Sequence, residues 1–271
     1  MTARPNKAVI LARGLGTRMR AQSESVTLEG QAAAAANAGV KGMIDVGRPF
    51  LDYLVSALAD VGITDVCLVI GPEHDMIRDH FAQLELTRVR VHFAIQQEPK
   101  GTADAVSAAE EFAAGDRVLV LNSDNYYPPE ALNKLLDAPG SAVLGFDRHA
   151  LIEQSNIPAD RIAAFAILAV DAEGNMERII EKPDAETLAK FGEDAPISMN
   201  AWVFNPVIFE ACRNVTPSVR GELELQSAVD WAMERGEVFT VVPVAMGCLD
   251  MSRRDDIAAV KEHLAAVEVS L

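Results

Sequence analysis

The sequence predicts an α/β protein built on a mostly parallel, mixed sheet with helices on both faces. Three observations carry that expectation. Short, β-branched apolar runs alternate with stretches of helical period. Prolines stand at helix starts, at Pro49 and Pro129, with acidic residues crowding the first turns. Strand–helix alternation of this kind means βαβ units, and ligands in such sheets bind beyond the carboxyl ends of the strands. With 49% apolar and 24% charged residues, the chain is excluded from the disordered and collagen-like classes. Its 271 residues suffice for a full core, as one large domain or one with a small appendage.

In chain order, strands are expected at residues 8–12, 65–70, 89–94, 117–121 and 142–146, and helices at 49–61, 73–81, 102–113 and 129–137. The second half is less regular. Residues 162–170 and 176–181 read as two strands around the turn at 171–175, and 202–204 and 239–244 as further strands. Helices are expected at 223–235 and 255–267. The organisation expected is a single domain over 1–271, with halves 1–146 and 147–271. Residues 20–40 fit neither pattern; with Ala32 to Ala36 unbroken, they read as an inserted flap or short helix.

The 24 basic residues stand against 40 acidic ones, a net charge of −16. That balance argues against nucleic acid and anionic membrane surfaces as partners. An anionic substrate would need a local cluster of Arg and Lys inside a repelling overall field. Cys67, Cys212 and Cys248 are far apart and odd in number, which reads as reduced thiols and a cytoplasmic location. The apolar run at 8–12 is too short for a signal core, and no stretch approaches the roughly 18 apolar residues of a membrane span. The five histidines have no metal-binding spacing. The composition is also compatible with a homo-oligomer paired through the second half.

The first predicted strand runs directly into Leu11-Ala12-Arg13-Gly14-Leu15-Gly16-Thr17-Arg18-Met19. Glycines at 14 and 16 allow a tight turn whose N–H groups can face an anion. A dinucleotide fingerprint needs a third glycine where Met19 stands, and a P-loop needs Gly-Lys-Ser/Thr; neither is present. What remains is a G-x-G-T-R turn with Arg18 projecting from it.

This G-x-G-T-R-M turn resembles that of the sugar-1-phosphate nucleotidyltransferases, and further matches follow in that family's order. They are Lys41 ahead of Met43 to Leu51, Gln97 to Ala103 with its Gly-Thr-Ala, Asn122-Ser123-Asp124-Asn125, and Glu181-Lys182-Pro183. Asn200-Ala201, Arg220-Gly221-Glu222-Leu223-Glu224 and Leu249-Asp250 complete the set. The pattern is nearest to the thymidylyl- and uridylyl-transferring members. The resemblance implies a Rossmann-like nucleotide-diphospho-sugar transferase fold, with a nucleotide-binding first half and a smaller sugar-binding second half. The implied reaction is attack of a sugar 1-phosphate on the α-phosphorus of a nucleoside triphosphate, releasing pyrophosphate.

On the same resemblance, Arg18, Lys41 and Lys182 are the implied catalytic cations. Leu11, Ala12, Gly14, Gly16, Thr17, Gln97, Gly101 and Thr102 would bind the nucleotide, and Glu181, Asn200 and Arg220 the sugar phosphate. Asp124 and Asp250 would hold Mg²⁺, a hard cation suited to carboxylate and phosphate oxygens. Plainer readings stand beside these. Asp124 could cap the helix that starts near Pro129, and Asp250 the one near Asp255, while Asp255 and Asp256 read as first-turn acids. Arg18, Lys41 and the Glu181–Lys182 pair could simply be solvated. A non-catalytic nucleotide-sugar-binding relative and a mannose-type guanylyltransferase are the alternatives within the fold. A glycosyltransferase would want Asp-x-Asp, and Asp124 is followed by Asn125-Tyr126.

Three departures from the family pattern matter. Arg18 and Lys41 are 41 − 18 = 23 positions apart, about twice the usual gap, so residues 20–40 are an insertion expected to close over the triphosphate. Arg13 stands at a commonly small position. Trp202 replaces a glycine and is expected to narrow the sugar pocket, unless it is simply a core aromatic.

Overall fold

The computed structural model describes residues 3–14, 16–20, 30–192 and 194–271. Strands β1 (Lys7–Leu11), β2 (Asp65–Ile70), β3 (Arg90–Ile95) and β4 (Val118–Asn122) are parallel and lie in the order β3-β2-β1-β4. The chain continues through β5 (Asn125–Tyr126), β6 (Ser141–Phe146), the hairpin β7 (Ile167–Val170) and β8 (Met176–Ile180), and β9 (Ile197–Phe204). Last come β10 (Phe239–Val244) and β11 (Leu249–Asp250). One sheet spans both halves in the order β10-β6-β9-β4-β1-β2-β3, while β5 and β11 form a separate antiparallel ladder. The sheet is mixed because β9 runs antiparallel between β4 and β6.

Successive side chains of a strand point to opposite faces, and both faces here are covered. Ala8 and Ile10 of β1 and Leu119 and Leu121 of β4 pack into one core with helices Phe50–Asp60 and Pro129–Asp137. Val9, Val118 and Val120 pack into the other with helices Thr102–Ala108, Val207–Asn214 and Leu225–Met233. The helix of 49–61 is realised as Phe50–Asp60 with Pro49 as its N-cap, and Pro129 opens its helix as expected.

Corrections fall mainly in the second half. Residues 162–170 are not one strand: Ala159–Ile162 is a helical turn with Asp160 in its first turn, and pairing begins only at Ile167. The strand expected at 202–204 begins at Ile197. The helix expected over 102–113 is divided at Ala109 into Thr102–Ala108 and Glu110–Ala113. Helices Arg148–Gln154, Ala185–Phe191 and Val207–Asn214 were not anticipated. Within the insertion, Gly30–Ala38 is helical; residues 21–29 lie outside the described residues. Trp202 does not narrow a sugar pocket. It is 1% exposed, stacked on Phe204 at 5.4 Å and edge-on to Phe239 at 6.1 Å in the second core.

Candidate active site

Strand β1 sits between β2 and β4, so the chain order reverses there and a crevice opens beyond the carboxyl ends of β1 and β4. Leu11 and Asn122, paired in register at those ends, line two contiguous cavities of about 440 and 220 Å³. Thr102 and Glu222 also line both.

The larger cavity holds the glycine turn. Gly16 has φ +58°, and a Cβ there would stand 2.4 Å from the Gly39 carbonyl oxygen, so only glycine lets the two backbones meet. Gly14, Thr17, Arg18 and Ala12 line the same space, with Arg18 exposed to it. Lys41, the first residue of a short 3₁₀ turn, reaches across and donates to Asp124 Oδ2 at 2.7 Å. Arg13 lines the cavity too; its guanidinium donates to the Gln96 carbonyl and to Glu73.

The glutamine in the cavity wall is Gln96, not Gln97. Backbone pairing continues one residue past β3, from Gln96 N–H to the Ile70 carbonyl at 2.9 Å, which brings Gln96 to the crevice and leaves Gln97 exposed outside it. Gln96 is buried, and its Nε2 donates to the Gly101 carbonyl at 3.0 Å and to Asp104 Oδ2 at 2.8 Å. The available signal was positional: Gln96 is the first polar residue after the strand.

The smaller cavity is lined by Glu181, Asn200, Arg220, Glu222, Glu224 and Gln226, among others. Gln226 Nε2 donates to Glu181 Oε1 at 2.8 Å, and Arg220 donates to Glu224 Oε1 at 3.0 Å. Burial, then the neighbouring Glu224 charge, raises the Glu181 carboxyl above its ordinary range, against the pull of Arg220 and Lys182. Asn200 adopts φ +58° where the β6–β9 pairing shifts register, and this kink turns it toward the cavity. Lys182 also has a positive φ, +44°, but it is exposed and lines neither cavity.

The two cavities are tied together by backbone. Leu223 N–H donates to the Lys100 carbonyl at 2.7 Å, Ala103 N–H to the Leu223 carbonyl at 2.9 Å, and Leu225 N–H to Thr102 Oγ1 at 2.9 Å. Gly101, at φ +126°, makes this possible, since a Cβ there would stand 2.4 Å from the Leu223 carbonyl oxygen.

Asp124 and Asp250 are brought side by side by the β5–β11 ladder. Asp250 pairs with Asn125, and Met251 N–H donates to the Asp124 carbonyl at 2.8 Å. Neither aspartate caps a helix: Pro128 is the N-cap of Pro129–Asp137, Asp255 is that of Asp256–Leu264, and Asp256 is the first-turn acid there. Asp124 lines the larger cavity; Asp250 is buried behind it and lines neither. Burial and the Asp124 charge push the Asp250 carboxyl up to about 6, with Arg161 pulling the other way. Arg161 forks between Asp250 Oδ2 and Asp256 Oδ1, and Asn156 pairs with both backbone groups of Asp250. No sequence signal pointed to Arg161 or Asn156, which reach Asp250 only through folding.

Among the described residues no group of three or more Asp, Glu, His or Cys side chains could hold a metal on protein ligands alone. Asp124 at the cavity wall, with the Asp250 carboxylate behind it, suits Mg²⁺, which typically takes one or two carboxylates and completes its shell with phosphate oxygens and water. No helix among the described residues is long and apolar enough to cross a membrane.

A glycine turn beside Arg13, Arg18 and Lys41 and an adjoining carboxylate-lined cavity, set at one switch point, suit a nucleotidyl-transferring α/β enzyme. The model of the nucleotidyl transferase family matches residues 7–265, and the chain belongs to that family. It is 26% identical over 265 residues to UTP–glucose-1-phosphate uridylyltransferase AglF of Haloferax volcanii, covering 95% of this chain and 96% of that one. It is 27% identical over 270 residues to the UTP–glucose-1-phosphate uridylyltransferase of Streptococcus pneumoniae, covering 88% and 83%. The fold is shared with a crystal structure of UDP-glucose pyrophosphorylase complexed with UDP-glucose, at a TM-score of 0.73 and 15% identity over 97% of this chain and 99% of that one.

Proposed function

We propose that this chain transfers a nucleotidyl group from UTP or dTTP to a sugar 1-phosphate, giving a nucleotide sugar and pyrophosphate. The observation that carries this reading is the pair of contiguous cavities, one with Arg13, Arg18 and Lys41 in its wall and the other with Glu181, Asn200 and Gln226. The named activities of the relatives support the substrate classes.

The triphosphate lies along the glycine turn. Its α-phosphorus faces the seam between the cavities, where the sugar phosphate arrives in line with the departing pyrophosphate. Both reactants are multiply anionic, so positioning and charge neutralisation carry the catalysis and no covalent intermediate is needed. Arg18 forks oxygens of the leaving pyrophosphate, a geometry lysine does not reproduce. Lys41 supplies a point charge to the same oxygens and is held in place by Asp124. Gln96 and Gly101 meet the base, Glu181 and Asn200 the sugar hydroxyls, and Arg220 the sugar phosphate; Lys182, outside both cavities, would reach that phosphate only by turning inward. Asp124 and Asp250 would hold Mg²⁺, which when bound neutralises charge on the phosphates. All three cysteines are buried and free, which suits the cytoplasm. The net charge of −16 keeps nucleic acid from other surfaces.

The test is a matrix of nucleoside triphosphates against sugar 1-phosphates, scored by pyrophosphate release with Mg²⁺. UTP or dTTP with a hexose 1-phosphate is expected to give the fastest release. No release with any pair would contradict the reading.

A further inference from the structure

The segment between Arg18 and Lys41 leaves one feature that the reaction does not explain. Helix Gly30–Ala38, inside the insertion, is fastened to the glycine turn at several points. Gly39, just beyond the helix, packs backbone to backbone against Gly16. Arg20 donates through Nε and Nη2 to the Ala38 carbonyl at 3.2 and 2.8 Å, so it holds the helix's last turn. Arg254 donates through Nε to the Met19 carbonyl at 2.9 Å and through Nη2 to Asn37 Oδ1 at 2.7 Å. None of residues 33–38 lines either cavity, whereas Gly39 lines the larger one. The described part of the insertion therefore braces the turn from outside, and it does not cover the cavity.

Arg254 lies four residues after Asp250 and is only 7% exposed. Its one planar group joins the glycine turn, the inserted helix and the segment following Asp250. A lysine, a point donor without the planar fork, would not hold both oxygens in the same geometry.

We propose that Arg254 is a positioning residue for the phosphate-facing turn: with Asn37 as its brace, it fixes Met19 and thereby sets Gly16 to Arg18 against the β- and γ-phosphates. Met19, Asn37 and Arg254 come from three separate stretches of sequence, so one guanidinium ties the turn and the inserted helix to the segment that follows Asp250. The proposal rests on the reading that the triphosphate occupies the larger cavity.

The experiment compares binding of UTP and UMP to the full chain by calorimetry, with dTTP and dTMP in parallel, for wild type, Arg254→Met, Arg254→Lys and Asn37→Ala. Wild type is expected to bind the triphosphates more tightly than the monophosphates. Arg254→Met is expected to weaken triphosphate binding by about tenfold or more while leaving monophosphate binding within about twofold. Arg254→Lys should fall between, and Asn37→Ala should shift the same way by less. Asn37 is exposed on a helix, where alanine is favourable, so that variant keeps the test informative if Arg254→Met does not fold. Equal losses for triphosphates and monophosphates, or unchanged triphosphate binding in both Arg254→Met and Asn37→Ala, would overturn the role. Wild type binding both ligand classes equally would instead overturn the placement of the triphosphate, and the proposal with it.

Discussion

The two cavities meet at Leu11, Thr102, Asn122 and Glu222, yet their charges differ in sign. The larger has Arg13, Arg18 and Lys41 against Asp124 and Glu222; the smaller has Arg220 against Glu181, Glu222 and Glu224. A chain with a net charge of −16 thus concentrates cations on one side of a seam and leaves carboxylates on the other. Carboxylates there suit the hydroxyls of a sugar, which donate to them, while the cationic wall suits phosphate. Net charge says little about a ligand that meets only a few side chains.

The largest expected effect breaks the cationic side. Gly16→Ala would force a Cβ to within 2.4 Å of the Gly39 carbonyl oxygen at a positive φ, so the turn must shift. Catalytic efficiency, read by pyrophosphate release, is expected to fall by about 100-fold or more, with circular dichroism unchanged. Next comes the seam itself. Gly101→Ala drives a Cβ against Leu223 and parts the two loops, so the KM values for both substrates are expected to rise by about tenfold. A rise for the nucleotide alone would mean that the cavities act independently.

A smaller effect concerns the aspartate pair without metal. The Asp250 carboxyl is raised from 3.8 to about 6 on folding, so the folded state holds this proton more tightly than the unfolded chain. Its contribution to stability is therefore fully present below about pH 4 and is lost as pH rises through about 6. In urea unfolding with a chelator present, Asp250→Asn should lack this part of the pH slope, on the order of 3 kcal/mol. Superposable pH profiles for variant and wild type would contradict it.

The parallel half was legible because β1, β2 and β4 are short apolar runs with buried interiors, while β3, partly exposed at the sheet edge, still carries alternating apolar residues. Strands β2 and β10 and helix Pro129–Asp137 match the expected bounds residue for residue. The second half was less so for a physical reason. Strand β9 enters the sheet between β4 and β6, far from its sequence neighbours, and Asn200 interrupts its pattern with a left-handed residue. Ile162 looked like the start of a strand because it is β-branched and opens an apolar stretch, yet it closes a helical turn. Motifs singled out the glycine turn, Lys41, Asp124, Glu181 and Asn200, all of which line one of the two cavities. Gln96 was displaced by one position, and Arg161 and Arg254 were invisible because their partners lie 89 and 235 residues away.

The division of labour between the two cavities is tested most directly by the KM values of Arg18→Met and Glu181→Gln. Both side chains stand at the cavity walls and outside the two apolar cores, so neither change disturbs the core. Arg18→Met is expected to raise the KM for the nucleoside triphosphate and leave that for the sugar phosphate near wild type. Glu181→Gln should do the reverse. Either variant changing the KM of the opposite substrate as strongly as its own would contradict the assignment.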